Sequence, residues 1–272
     1  MIPRDYITEW RAHAPWVQDS QVEQDLVISR ALVEIFSHPL LRTALAFRGG
    51  TALYKLHLTP AARYSEDIDL VQVQAEPAGP MMDALRDVLN PWLGEPKRKQ
   101  SQGRVTWTYR FQSEDLPPVP LRLKVETNTR EHFSVYGLHS VPFGVTSRWF
   151  TGACDITTYE LDELLGTKLR ALYQRKAGRD LFDLWVALRS GKSVPDRILH
   201  AFARYMGHEG HHVSRAEFEM NLAAKMEDGE FLADIGPLLS DGYVWDPRAE
   251  YALVATSLIE RVPGSPWKAD VV

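Results

Sequence analysis

The hydrophobic periodicity of this chain changes once, near residue 155, and that change limits the architectures open to it. Before it, Val105-Thr-Trp-Thr-Tyr-Arg-Phe111 and Leu121-Arg-Leu-Lys-Val-Glu-Thr127 alternate apolar and polar residues with period two. Such alternation gives a strand one apolar and one polar face, so it requires a sheet whose apolar side is covered. Leu45-Ala-Phe-Arg48 and Ile68-Asp-Leu-Val-Gln-Val73 supply two further strands. Helices are expected between them: one over about 21–37, opened by Ser20-Gln-Val-Glu23 as a capping box, and one near 80–90 after the Pro77/Gly79/Pro80 cluster. Thr157-Thr-Tyr-Glu160 reads as a second capping box, and helical spacing then runs to about 190 with a break near Gly178. The expected fold is α+β (mixed α/β), with an α/β core over 1–155 and a helical part over 156–272.

With 272 residues and 44% apolar content, the chain has enough material for a core without added staples. Its single cysteine, Cys154, leaves no intramolecular disulfide and no cysteine-based zinc cluster, so a reducing, cytoplasmic setting is expected. The N-terminal stretch lacks the apolar core of a signal peptide, and no apolar run is long enough to span a membrane. A net charge of −5 excludes a global positive field. Contact with a nucleic acid would need a local basic face, for which Lys97, Arg98, Lys99 and Arg104, then Arg170, Arg175, Lys176 and Arg179, are the material.

The chemistry concentrates in two neighbouring segments. In Ser65-Glu-Asp67-Ile-Asp69-Leu70, Asp67 and Asp69 lie two apart, so on a strand both point to one face while Ile68 and Leu70 point to the other. Two carboxylates held together repel unless a cation lies between them, and Mg²⁺ is commonly held by one or two carboxylates plus substrate phosphates. Upstream, Gly49-Gly50-Thr51 places bare amides and a helix start at the end of a strand, the arrangement that holds phosphate. Each segment alone has an ordinary reading, a solvated strand end or a turn with an N-cap threonine. Together they specify a nucleoside triphosphate site. Farther along, Lys168 falls within the apolar stripe of Leu164, Leu165, Leu169 and Leu172, so it either snorkels to the edge or meets negative charge.

Arg48-Gly-Gly-Thr-Ala-Leu-Tyr-Lys55, followed by Arg63-Tyr-Ser-Glu-Asp-Ile-Asp-Leu70, resembles the AbiEii/AbiGii-type nucleotidyltransferase toxin family, which includes the MenT-like toxins of the DNA-polymerase-β-like superfamily. The resemblance covers roughly residues 43–190 and extends to Arg175-Lys-Ala-Gly-Arg179-Asp180-Leu-Phe-Asp183. Thr51 stands where the family has serine, which keeps the hydroxyl.

The resemblance implies a transferase of the EC 2.7.7 type, with Asp67, Asp69, Lys168 and Asp183 catalytic. Glu126 is the candidate third metal carboxylate, since it shares the polar face of its strand with Arg122 and Lys124. Arg48, Gly49, Gly50, Thr51, Lys55, Ser65 and Asp180 are the candidate nucleotide-binding residues, with Arg63 as a further phosphate contact. The implied cofactor is Mg²⁺, with Mn²⁺ as the alternative, and the substrate an NTP. The implied partners are a tRNA or other RNA acceptor and a cognate antitoxin, with the helical part completing the active-site cleft. The alternatives are transfer to a small-molecule or protein hydroxyl, or a non-catalytic nucleotide- or partner-binding module. His208, His211 and His212 lack a spaced acid or cysteine and read as surface residues.

Overall fold

The computed structural model describes residues 2–268. These form two compact units that divide between Tyr159 and Glu160.

The first unit opens with α1 (Arg4–Trp10), α2 (Asp19–Ser37) and α3 (Pro39–Ala44). β1 (Leu45–Arg48) runs straight into α4 (Gly49–Ala52), which continues as a π-helical turn to His57. β2 (Asp67–Gln72), α5 (Gly79–Leu93), β3 (Lys97–Ser101), β4 (Arg104–Gln112) and β5 (Pro120–Asn128) follow, then β6 (Leu138–Thr146) and β7 (Thr151–Tyr159). All seven strands join one mixed sheet in the order β3-β4-β5-β2-β1-β7-β6. β2 pairs parallel with β5 and antiparallel with β1, and β1 pairs parallel with β7.

The period-two pattern decides which side of this sheet is covered. Val105, Trp107, Tyr109 and Phe111 of β4, Leu123 and Val125 of β5, and Ile68 and Leu70 of β2 are buried. α2 packs against β5 and β7, and α5 against β4. Alternate residues of the same strands form a polar face.

Three strands were not legible in the sequence. β3 is Lys-Arg-Lys-Gln-Ser, exposed throughout, so it carries no apolar signal. β6 and β7 form a hairpin with Pro142, Gly144 and Gly152 inside it, residues that weaken a strand pattern. β7 absorbs Thr157, so the Thr157/Glu160 capping box does not form; the following helix begins at Leu161 with Glu160 at its N-cap. The start of α2 also differs from expectation. Gln18 and Gln21 make the capping box, while Ser20 and Glu23 are buried and Glu23 accepts the Glu114 amide.

The second unit is helical: α6 (Leu161–Gln174), α7 (Gly178–Arg189), α8 (Pro195–His208), α9 (Arg215–Met226), α10 (Gly229–Ala233) and α11 (Pro247–Ser257). Gly178 opens α7 because a side chain there would meet the Phe231 carbonyl at 2.0 Å. Lys225 of α9 donates to the Leu172 and Tyr173 carbonyls near the end of α6, and burial lowers its pKa to about 8. Trp185 lies against Trp245 and Phe182, with its indole N–H on Glu250, and Trp107 is buried in the first unit.

Candidate active site

Strand register assembles the polar face. Asp67 of β2 stands opposite Lys124 of β5, which stands opposite Thr108 of β4 and then Lys97 of β3. One step along, Arg48 of β1, Asp69, Glu126, Thr106 and Lys99 form a second cross-strand row. Residues opposed in this way share a face. Asp67, Asp69 and Glu126 therefore lie on one side of three adjacent strands, counting β1 with its Arg48 at the edge of the group.

Backbone chemistry at the β1–α4 junction sets how closely this group packs. Gly49 has φ +83°, a conformation that favours glycine, and a Cβ there would lie 2.1 Å from the Asp69 carboxylate. At Gly50 a Cβ would lie 2.6 Å from the Arg63 guanidinium and 3.0 Å from the Ser65 hydroxyl. Both glycines are thus needed for close approach, and each touches a residue of the Arg63–Asp69 segment. Thr51 Oγ1 is 2.9 Å from Ser65 Oγ and 2.5 Å from the Asp67 carbonyl oxygen. Its hydroxyl ties α4 to the start of β2.

The charges of the group are unequal. Burial raises the Asp67 pKa, partly offset by Lys124. Burial also raises that of Asp69, which Asp67 and Glu126 push further while Arg48 and Lys124 oppose it. Lys124 Nζ lies 3.2 Å from Asp67 Oδ2 and 3.1 Å from Glu126 Oε2, and Arg104 Nε lies 3.1 Å from Glu126 Oε1. Glu126 therefore shares the face of the aspartates but turns both oxygens to cations. Among the described residues no three His, Cys, Asp or Glu side chains are grouped as a metal cage. The donor set instead suits Mg²⁺ in its two-carboxylate mode, in which substrate phosphates and water complete the shell. A divalent ion would relieve the desolvated, mutually repelling Asp67 and Asp69.

The other candidate nucleotide ligands are already engaged. Arg48 pairs with Glu131. Lys55 Nζ lies 2.7 Å from Asp25 Oδ1 and 2.9 Å from Ser29 Oγ. Asp25, buried in α2, also accepts the indole N–H groups of Trp10 and Trp16 at 2.9 and 3.2 Å. Arg63 Nη1 donates to the Tyr64 carbonyl, and its guanidinium lies over the Tyr54 ring. A cavity of about 300 Å³ lies among Trp10, Trp16, Tyr54, Lys55, Thr51 and Ser65. Asp25 and Lys124 join the site without being singled out by any sequence motif. The sequence signal for Asp25 is an acid inside the apolar stripe of α2; for Lys124 it is a place on the polar face two residues before Glu126.

In the second unit Lys168 meets negative charge. Its Nζ lies 2.8 Å from Asp183 Oδ2 and 3.2 Å from Asp180 Oδ1, and both aspartates are fully buried. Arg175 donates to both oxygens of Asp180 at 2.6 and 2.7 Å. Burial alone would raise the Asp180 pKa, but Lys168 and Arg175 bring it below the ordinary value. Asp183 pairs with Lys168 here, while the Arg179 amide donates to Asp234. His208, His211 and His212 are exposed.

A solved structure of MenT4, a nucleotidyltransferase toxin from Mycobacterium tuberculosis H37Rv, matches with TM-score 0.63 at 17% identity, over 97% of this chain and 91% of that one. JHP933 from Helicobacter pylori matches with TM-score 0.54 at 15% identity, over 90% and 93%. A putative nucleotidyltransferase from H. pylori gives 0.54 at 14%, over 90% and 96%. At these identities the likeness is one of fold. No curated protein matches the sequence. The family model for the nucleotidyl transferase AbiEii toxin of type IV toxin–antitoxin systems matches residues 30–253. The chain belongs to the AbiEii nucleotidyltransferase toxin family.

Proposed function

We propose that this toxin transfers nucleotides from an NTP to an RNA hydroxyl, the 3′ end of tRNA, in a Mg²⁺-dependent reaction that blocks translation and growth. The observation that carries the reading is the placement of Asp67 and Asp69 on one polar face, with the Asp69 carboxylate close against Gly49. A bound divalent ion supplies Lewis-acid stabilisation of phosphate charge and lowers the pKa of an attacking hydroxyl. Asp67 and Asp69 hold that ion. Gly49 and Gly50 let Asp69, Arg63 and Ser65 close on the turn, and Thr51 fixes that turn against β2. Lys168 and Asp183, paired within the second unit, keep the catalytic roles that the family resemblance implies for them.

The choice of RNA rests on the remaining charges of the polar face. Lys97 and Lys99 of β3 and Arg104 of β4 are exposed, and Arg110 stands opposite Arg122 across β4 and β5. These side chains share the face of Asp67 and Asp69. Of these, Arg104 pairs with Glu126 and Arg122 with Glu66, so Lys97, Lys99 and Arg110 carry most of this support; elsewhere Arg98 lies over the Trp107 ring, and Arg170, Arg175, Lys176 and Arg179 each have an acidic partner. A negatively charged acceptor is therefore supported on the β3–β5 face despite the overall charge of −5.

Membership of a type IV toxin–antitoxin family implies a cognate antitoxin, and among the described residues no helix is long and apolar enough to cross a membrane. We place the reaction in the cytoplasm, where tRNA is found. Incubation with each labelled triphosphate, Mg²⁺ and total RNA tests the acceptor: label in the tRNA band supports the reading. Label on protein or on a small molecule would redirect it.

A further inference from the structure

The most unusual charge in the site belongs to a residue outside the two aspartates. Among the described residues, Lys124 is the one cation within hydrogen-bond distance of two of the three carboxylates, Asp67 at 3.2 Å and Glu126 at 3.1 Å. Register explains why. On adjacent parallel strands it stands directly opposite Asp67, and Glu126 lies two residues on along the same face. Arg104 reaches only Glu126, from a half-exposed position, and Arg48 is drawn off by Glu131. Lys124 is thus the principal local counter-charge for Asp67 and Glu126, which the two strands force together, while Arg48 faces Asp69.

We propose that Lys124 is an internal counter-ion of the candidate metal site, a positioning residue that must give up Asp67 before a divalent ion is held there. This inference rests on the reading of Asp67 and Asp69 as metal ligands. An ammonium and a divalent cation repel strongly within a few ångströms, so both do not share Asp67. The lysine stem has four rotatable carbons, and its side chain is about one-third exposed, so the ammonium has room to leave. A substrate phosphate offers it a replacement anion. Lys124 thereby makes the metal-free site less self-repulsive and makes metal binding weak until a phosphate ligand arrives. Glu126, freed from Lys124 on one oxygen, remains held by Arg104 on the other.

The test is a Mn²⁺ titration of the full-length protein without nucleotide, following the free aqueous ion by electron paramagnetic resonance. Wild type, Lys124→Met, Lys124→Arg and Asp67→Asn are compared, with circular dichroism confirming that each is folded. Lys124→Met should bind Mn²⁺ roughly tenfold more tightly than wild type, less than the full charge repulsion because the wild-type ammonium retreats. Lys124→Arg keeps the charge and should stay within about threefold of wild type. A lysine with only a packing role would leave the affinity unchanged. Equal or weaker binding by Lys124→Met, with binding still lost in Asp67→Asn, overturns the counter-ion role alone. Binding that survives in Asp67→Asn overturns the metal-ligand reading on which it rests.

Discussion

Replacing Lys168 with methionine removes the cation from between two fully buried aspartates while keeping an unbranched chain of similar length. At the observed separations of 2.8 and 3.2 Å the gross attraction is about 5–6 kcal/mol per pair for an effective dielectric of about 20. Desolvation of all three groups cancels much of this, and breaking a buried pair by removing one partner costs about 3–5 kcal/mol net. Arg175 still compensates Asp180, which leaves Asp183 as the group that loses most. A loss of that size in a domain near this length corresponds to a melting temperature lower by about 6–20 °C. Differential scanning calorimetry of Lys168→Met and of Lys168→Met/Asp183→Asn provides the assay. The double variant should recover part of the loss, because the carboxylate charge that faced the lost ammonium is then gone. A single variant that melts within about 2 °C of wild type would show that this cluster contributes little and refute the argument.

Asp67→Asn should abolish nucleotide transfer and toxicity while the melting temperature is unchanged or slightly raised, because burial already disfavours the charged carboxylate. Gly49→Ala should lower both stability, by about 1–2 kcal/mol from the backbone alone, and activity, since its Cβ would run into Asp69; thermal melts and a transfer assay read the two effects. Ser65→Glu should transfer nucleotide far less well than Ser65→Ala, because it adds negative charge beside Thr51, Gly50 and the aspartates. Lys225 has its folded pKa depressed to about 8 from 10.5, so the folded state binds fewer protons between those values and stability should rise with pH across that window. Chemical denaturation at pH 8 and pH 10 should show that gain shrinking in Lys225→Met.

The sequence patterns identified the central strands because one face of each is buried: β1, β2, β4 and β5 all lie within a residue or two of expectation. They missed β3, whose five residues are all polar, and β6–β7, where glycine and proline dilute the alternation. Sheet order was not readable, since pairing of β2 with β5 and of β1 with β7 joins segments far apart in the chain. The same limit governs the site. Asp67 and Asp69 are visible as a pair because strand periodicity alone puts them on one face. Their relation to Glu126 and Lys124 depends on β2–β5 register, which no local signal fixes. Lys168 was conspicuous as a charge in an apolar stripe, and burial against Asp180 and Asp183 resolves why it is tolerated. Lys55 shows the converse: its position after the Gly-Gly-Thr turn suggests phosphate, whereas its ammonium lies on Asp25.

The most direct measurement is the state of tRNA 3′ ends after incubation of purified protein with tRNA, Mg²⁺ and the four triphosphates, read by sequencing the 3′ termini. The account predicts added nucleotides with the wild-type protein, and unextended ends when Asp67 or Asp69 is replaced by asparagine or when EDTA removes the metal. Extension that persists in Asp67→Asn, or in EDTA, would contradict the assignment of the metal-dependent chemistry to this pair of carboxylates.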